Sequence, residues 1–277
     1  MTPARHLALV LPLLACAPIG TAATRSIDDK PATTAPATST FDQSHATWTE
    51  VLATHVKNDG FDYKALKKDR SKLDRYLASL EAVKPDEFAK WKRDEQYAFW
   101  IDAYNAYTVS RVVDGYPVAS IKDLGDDKVS VWDREFIPLG SLAPDLKKSK
   151  LTLNDVENKI LRPVFKDARV HAAINCASVG CPPLRDAAFT ADKLSDQLDA
   201  QVKRWLGDAN RNRFLSDKNT VEISQVFDWF KDDFVRDEKS VVNWLAKHSP
   251  ENAEWLRGAK SPTIRYLDYS WKLNEAR

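Results

Sequence analysis

Glycine is scarce in this chain. Eight occur among 277 residues, against an average near 7%, and no two stand in G-x-G spacing. A Walker phosphate loop and a Rossmann fingerprint both need glycine where backbone approaches phosphate, so both are excluded. There is no H-E-x-x-H and no paired C-x-x-C. No zinc site is therefore signalled, and neither a metal nor another cofactor is expected. The G-x-S-x-G nucleophile elbow is missing too. Charge of one sign is also lacking, with 41 Lys and Arg set against 40 Asp and Glu. Without a basic stripe there is no electrostatic footprint for nucleic acid. Leu7 to Leu14 is an apolar run too short to span a membrane by itself.

What is present begins with a targeting segment, residues 1–23, opened by Arg5 and His6. Leu13-Leu14-Ala15-Cys16 resembles a bacterial lipobox, in which Cys16 becomes a lipidated first residue. The competing reading is ordinary cleavage after the small residues between Gly20 and Ala23. Either way the chain is expected to be exported to the periplasm or cell envelope, an oxidising compartment. A membrane contact through lipid is expected only if Cys16 is modified. Residues 24–40 carry the Pro/Ala/Thr tract PATTAPATST, which buries too little apolar surface to fold and reads as a tether.

A single domain is expected over residues 41–277. Its nine tryptophans point to a substantial aromatic core. Helical spacing recurs at His45, Trp48, Leu52 and His55, and again from Tyr63 to Leu80. The strongest helix is Tyr97 to Val113, with Asn105 inside or beside its apolar stripe. A buried carboxamide there requires hydrogen-bond partners. Val129 to Trp132 and Glu135 to Leu139 suggest a hairpin, and Leu151 to Leu161 a helix that carries Glu157. Further helices are expected at Ala191 to Leu206, Phe227 to Phe234 and Ser240 to Lys247. Strands are expected at Thr220 to Ser224 and Ile264 to Trp271. Helices on either side of a few short strands predict a helix-rich α+β domain around a small, mainly antiparallel sheet.

The chain is organised around VHAAINCASVGCPPL, Val170 to Leu184. Arg169 to Ile174, a short and mostly apolar run, reads as a buried strand. Small residues and then Pro182-Pro183 make an ordered loop after it. His171 and Cys176 supply an imidazole and a thiol, the material of nucleophilic catalysis. Strict alternation along a strand would put them on opposite faces, so they can meet only if the chain bends near Asn175. Three alternatives stand open. Cys176 can be a nucleophile paired with His171. It can be bridged to Cys181, leaving only redox-gated chemistry. Both thiols can also be buried and inert.

FWIDAYNAYTV, DVENKILR, VHAAINCASVGCPPL and YLDYSWKLN occur in that order. Together they resemble the domain-of-unknown-function family 547, found in bacterial exported proteins and in plants. Asp102 stands where that family usually has asparagine. The resemblance implies a distant likeness to papain- and transglutaminase-like folds, and it marks Asn105, Glu157, His171 and Cys176 as motif residues. It makes Glu157 a candidate orienting group for His171 and Asn105 a polar support. Cys176 comes after His171 here, whereas papain-type sites place the cysteine first. The expected function is a thiol-dependent hydrolase or acyltransferase acting on a small-molecule or peptide ligand. The alternative is a non-enzymatic envelope binding domain with a structural Cys176/Cys181 motif.

Overall fold

The structure, a computed structural model, describes residues 41–58, 60–258 and 260–276. The expected leader, the lipobox at Cys16 and the tether lie outside the described residues.

The fold is built around the helix Arg93–Gly115. Its first turn is closed by the Glu95 carboxylate, which accepts from the Lys92 backbone N–H at 2.6 Å, half of a capping box. Pro117 comes just after its end and cannot continue a helix. The sequence suggested one apolar stripe, yet from Tyr97 to Val113 only Arg111 is more than slightly exposed. A helix buried all round needs neighbours on every side. Helices Tyr63–Lys68 and Ser71–Ala82 pack on it, as does Asp155–Phe165. The single helix expected from Tyr63 to Leu80 is thus two, broken at Asp69-Arg70.

Asp155–Phe165 is wound as a π-helix. Thr152 and Asp155 cap it reciprocally: the Asp155 N–H donates to Thr152 Oγ1 at 2.9 Å, and the Thr152 N–H donates to Asp155 Oδ2 at 3.0 Å. π-winding is rare and concentrates at functional sites. Here it buries Glu157 together with Val156, Ile160 and Leu161.

Among the described residues, two small sheets complete the architecture. β1 (Val56–Lys57) and β2 (Gly60–Phe61) pair antiparallel. β3 (Arg213–Leu215), β4 (Thr220–Ser224) and β5 (Thr263–Leu267) lie in that order. β3 runs antiparallel to β4, and β5 runs parallel to it. The result is a helix-rich α+β domain. The expected hairpin at 129–139 is absent: Val131–Asp133 is a short 3₁₀ turn, and Ile137 instead makes a lone bridge to Leu151.

Two apolar cores meet at residues 168–177. The larger surrounds the long helix. The smaller gathers Trp205, Phe227, Phe234 and Trp244 beneath β4. Ala168 and Ala172 belong to the smaller core, while Val170, Ala173, Ile174 and Ala177 belong to the larger. The apolar run read as a strand is therefore one helical turn, Val170–Ala173, buried on both sides. Periodicity cannot separate those cases in so short a run.

Candidate functional site

The turn ends at Ile174, where the chain becomes extended. Asn105 fixes the bend beyond it. Its Nδ2 donates to the Ala173 carbonyl at 3.0 Å, and its Oδ1 accepts from the Asn175 N–H at 2.9 Å. Asn175 continues the network: its Nδ2 donates to the Pro182 carbonyl, and its Oδ1 accepts from the Ala177 N–H and from Asn274 Nδ2. Ala177 sits at φ 59°, a left-handed conformation that costs a non-glycine residue roughly 1–2 kcal/mol. Its carbonyl accepts from the Asn274 N–H at 3.1 Å. These bonds bend the chain at Asn175 and turn Cys176 out of line with the preceding residues.

Cys176 and Cys181 are joined by a disulfide. Cys176 is partly exposed, whereas Cys181 is buried. The Tyr269 hydroxyl lies 3.1 Å from Cys176 Sγ and 3.0 Å from Cys181 Sγ. The Cys176 backbone N–H donates to Cys181 Sγ at 3.1 Å. Of the three states the sequence left open for this pair, the structure shows the bridged one, and a free Cys176 nucleophile is not present in it.

Helix Lys231–Glu238 supplies a residue that the sequence reading missed. His171 Nε2 lies 2.8 Å from Asp233 Oδ2, and no other hydrogen bond reaches the ring among the described residues. Arg162 Nε donates to Asp233 Oδ2 at 2.6 Å, and Arg236 Nη1 donates to Oδ1 at 2.8 Å. Burial opposes the Asp233 charge, but hydrogen bonds from His171 and Arg162 outweigh it and hold the carboxyl well below its ordinary range. Burial pushes His171 the other way, towards the neutral imidazole, against the pull of Asp233. The ring stacks on Phe230 with centroids 4.2 Å apart. Asp233 thus holds the position expected for Glu157. The D-D-F run that carries it gives no sequence signal beyond a helix rich in charge.

Glu157 stands apart from the imidazole, on the π-helix. Its carboxylate accepts from the Tyr104 hydroxyl at 3.4 Å. Burial pushes its pKa up to about 7, although Arg162 and Tyr104 pull downward. Glu157, His171, Cys176 and Cys181 all line one cleft of about 200 Å³. Its walls are aromatic: Tyr104, Trp132, Trp229, Phe230, Tyr269 and Trp271. Tyr269 and Trp271 pack at 4.6 Å between ring centroids, and Trp229 meets Tyr269 at 4.8 Å. Asn105 does not line the cleft; it stands behind it, holding the loop.

The geometry defines an α+β domain whose two cores join at a bridged cysteine loop beside an aromatic cleft. Residues 88–206 match the model of the family described as "Protein of unknown function, DUF547". The chain resembles that family, and three of the four motifs fall inside the match. The fourth, Tyr266 to Asn274, lies beyond it, yet it supplies Tyr269 and Trp271 to the cleft. No curated protein matches the chain. No solved structure matches it either.

Proposed function

We propose that the cleft is an acyl-transfer site that hydrolyses an amide or ester of a small-molecule or peptide ligand. Cys176 is its nucleophile, held in reserve by the bridge to Cys181. The supporting observation is that Glu157 on the π-helix, His171 on the Val170–Ala173 turn and Cys176 in the loop after that turn line one cleft, with His171 braced by a buried carboxylate. A dithiol reductant gives two electrons and two protons to the bridge and is itself oxidised. His171, through its unpartnered Nδ1, takes the Cys176 proton, and the thiolate adds to the carbonyl. The proton passes to the departing amine or alcohol. Water, activated by the same imidazole, then frees the acid. Asp233 orients the ring throughout without being protonated. Glu157, near half-protonated at neutral pH, donates to the carbonyl oxygen.

The bridge itself favours a second reading, a non-enzymatic binding domain in which Cys176–Cys181 is a structural knot. Hydrolysis of a p-nitrophenyl ester by oxidised and reduced protein separates the two. Turnover is expected only after reduction, and Cys176→Ala and His171→Ala should each lose roughly 100-fold or more. A reduced protein without turnover, or Cys176→Ala as active as wild type, leaves the binding domain standing.

The proposal includes export to the envelope, on the strength of residues 1–23. No described helix is long and apolar enough to cross a membrane. Cys16→Ala should move the full chain from the membrane fraction to the soluble one. A wild-type chain already soluble would remove the lipid anchor.

A further inference from the structure

The two sulfurs of the bridge are not equivalent. Cys181 is 3% exposed, and its Sγ faces two donors, the Cys176 N–H at 3.1 Å and the Tyr269 hydroxyl at 3.0 Å. A bridged sulfur carries no proton, so at that contact the hydroxyl is the donor. Cys176 is the more open of the pair; its Sγ shares the Tyr269 hydroxyl, at 3.1 Å, and has Ser178 Oγ at 3.8 Å, but the backbone N–H goes to Cys181. In thiol–disulfide exchange the attacked sulfur must be reachable, and the departing sulfur leaves faster the better its thiolate is stabilised. Hydrogen bonds to a charged acceptor are worth about twice those to a neutral one. Both donors therefore strengthen as negative charge builds on Cys181.

The placement of Tyr269 is fixed by more than the bridge. A Cβ at Gly180 would meet the Tyr269 ring at 2.8 Å, so the ring lies flush on the glycine backbone. The Gly180 N–H donates to the Ser270 carbonyl, and the Val179 N–H donates to that of Lys272. The segment bearing Tyr269 is thereby pinned along the cysteine loop. Burial raises the Tyr269 pKa, so its hydroxyl keeps its proton.

We propose that the Cys176–Cys181 bridge is an exchange-active disulfide whose substrate is a dithiol, with Cys176 the attacked sulfur and Cys181 the leaving one. A substrate thiolate attacks Cys176 Sγ. The sulfur–sulfur bond breaks with its electron pair passing to Cys181, which Tyr269 and the Cys176 N–H receive as a thiolate. The second thiol of the substrate then attacks its own sulfur in the mixed disulfide and expels Cys176. The substrate ends as a disulfide, and its two protons end on the cysteines. As control over the proposed acyl transfer this inference rests on that reading; as thiol chemistry it stands apart from it.

The test uses the full chain, oxidised, with reduced glutathione as a monothiol probe, sampled at early times before a second glutathione resolves the mixed disulfide. After acid quenching, peptide mapping is expected to place glutathione on Cys176 and a free thiol on Cys181. Tyr269→Phe keeps the ring and removes the hydroxyl. It should slow opening roughly tenfold, the loss of one hydrogen bond to a developing charge. As a check independent of that variant, oxidised glutathione should cap Cys176 in Cys181→Ser far faster than Cys181 in Cys176→Ser. An adduct on Cys181, a native bridge that does not open, or Tyr269→Phe opening at the wild-type rate would overturn the proposal. None of these readouts involves ester turnover. A bridge that exchanges as described in a protein that hydrolyses nothing defeats only the acyl-transfer reading.

Discussion

Glu157 carries a proton where most glutamates do not. Its carboxyl titrates near 4.5 in an unfolded chain and at about 7 in the folded one, because burial disfavours its charge. A group raised in this way contributes stability that is fully present below pH 4.5 and is lost as pH rises through about 7. Glu157→Gln removes that loss. Compared with wild type, the variant should gain on the order of 3 kcal/mol between the acid and the alkaline side of this window, from about 1.4 kcal/mol per pKa unit. Denaturant midpoints at both ends check it. A difference between the two proteins that does not change with pH would show that Glu157 is already ionised or solvated. His171 titrates in the opposite sense and is common to both proteins, so it cancels in the comparison.

The cysteine loop depends on its tie to the long helix. Asn105 is bonded to both sides of the bend, through the Ala173 carbonyl and the Asn175 N–H. Asn105→Leu strands both backbone groups in a dry interior, and each is worth roughly 1–3 kcal/mol when left unpaired. A loss of about 3 kcal/mol in chemical denaturation is expected, and an unchanged midpoint would remove the tie. The need for partners at Asn105 was legible in the sequence, because a carboxamide amid Ile101, Tyr104 and Thr108 has few other fates. The long helix and the α+β class were legible too. The winding of Val170–Ala173 was not. A short, mostly apolar run between two cores looks like a strand when only one chain is read. Asp233 was hidden for a different reason: nothing within its own helix distinguishes a carboxylate that faces Arg162 and His171 from its neighbour Asp232. The bridge stood among the alternatives, but spacing alone could not choose it.

At the scale of the molecule, the C-terminal segment is the fastener. The Asn274 carbonyl accepts from the Phe61 N–H, and the Ala276 N–H donates to the Phe61 carbonyl. Asn274 also accepts from the Tyr63 hydroxyl and donates to Asn175. Residues 60–63, 175–181 and 269–276 thus share one set of bonds, while Trp132 meets Trp271 across the cleft. The cleft draws its walls from Tyr104 at one extreme and Trp271 at the other. That span sets a clock on assembly. At about 5–20 residues per second of synthesis, roughly 8–33 s separate the appearance of the first wall residue from that of the last. For the last part of it, the 88 residues from Cys181 to Tyr269 or about 4–18 s at the same rate, the nascent chain holds these two cysteines without Tyr269 over them and its long helix without a finished face. Whatever accompanies the chain as it is made meets those thiols before the fold can shelter them.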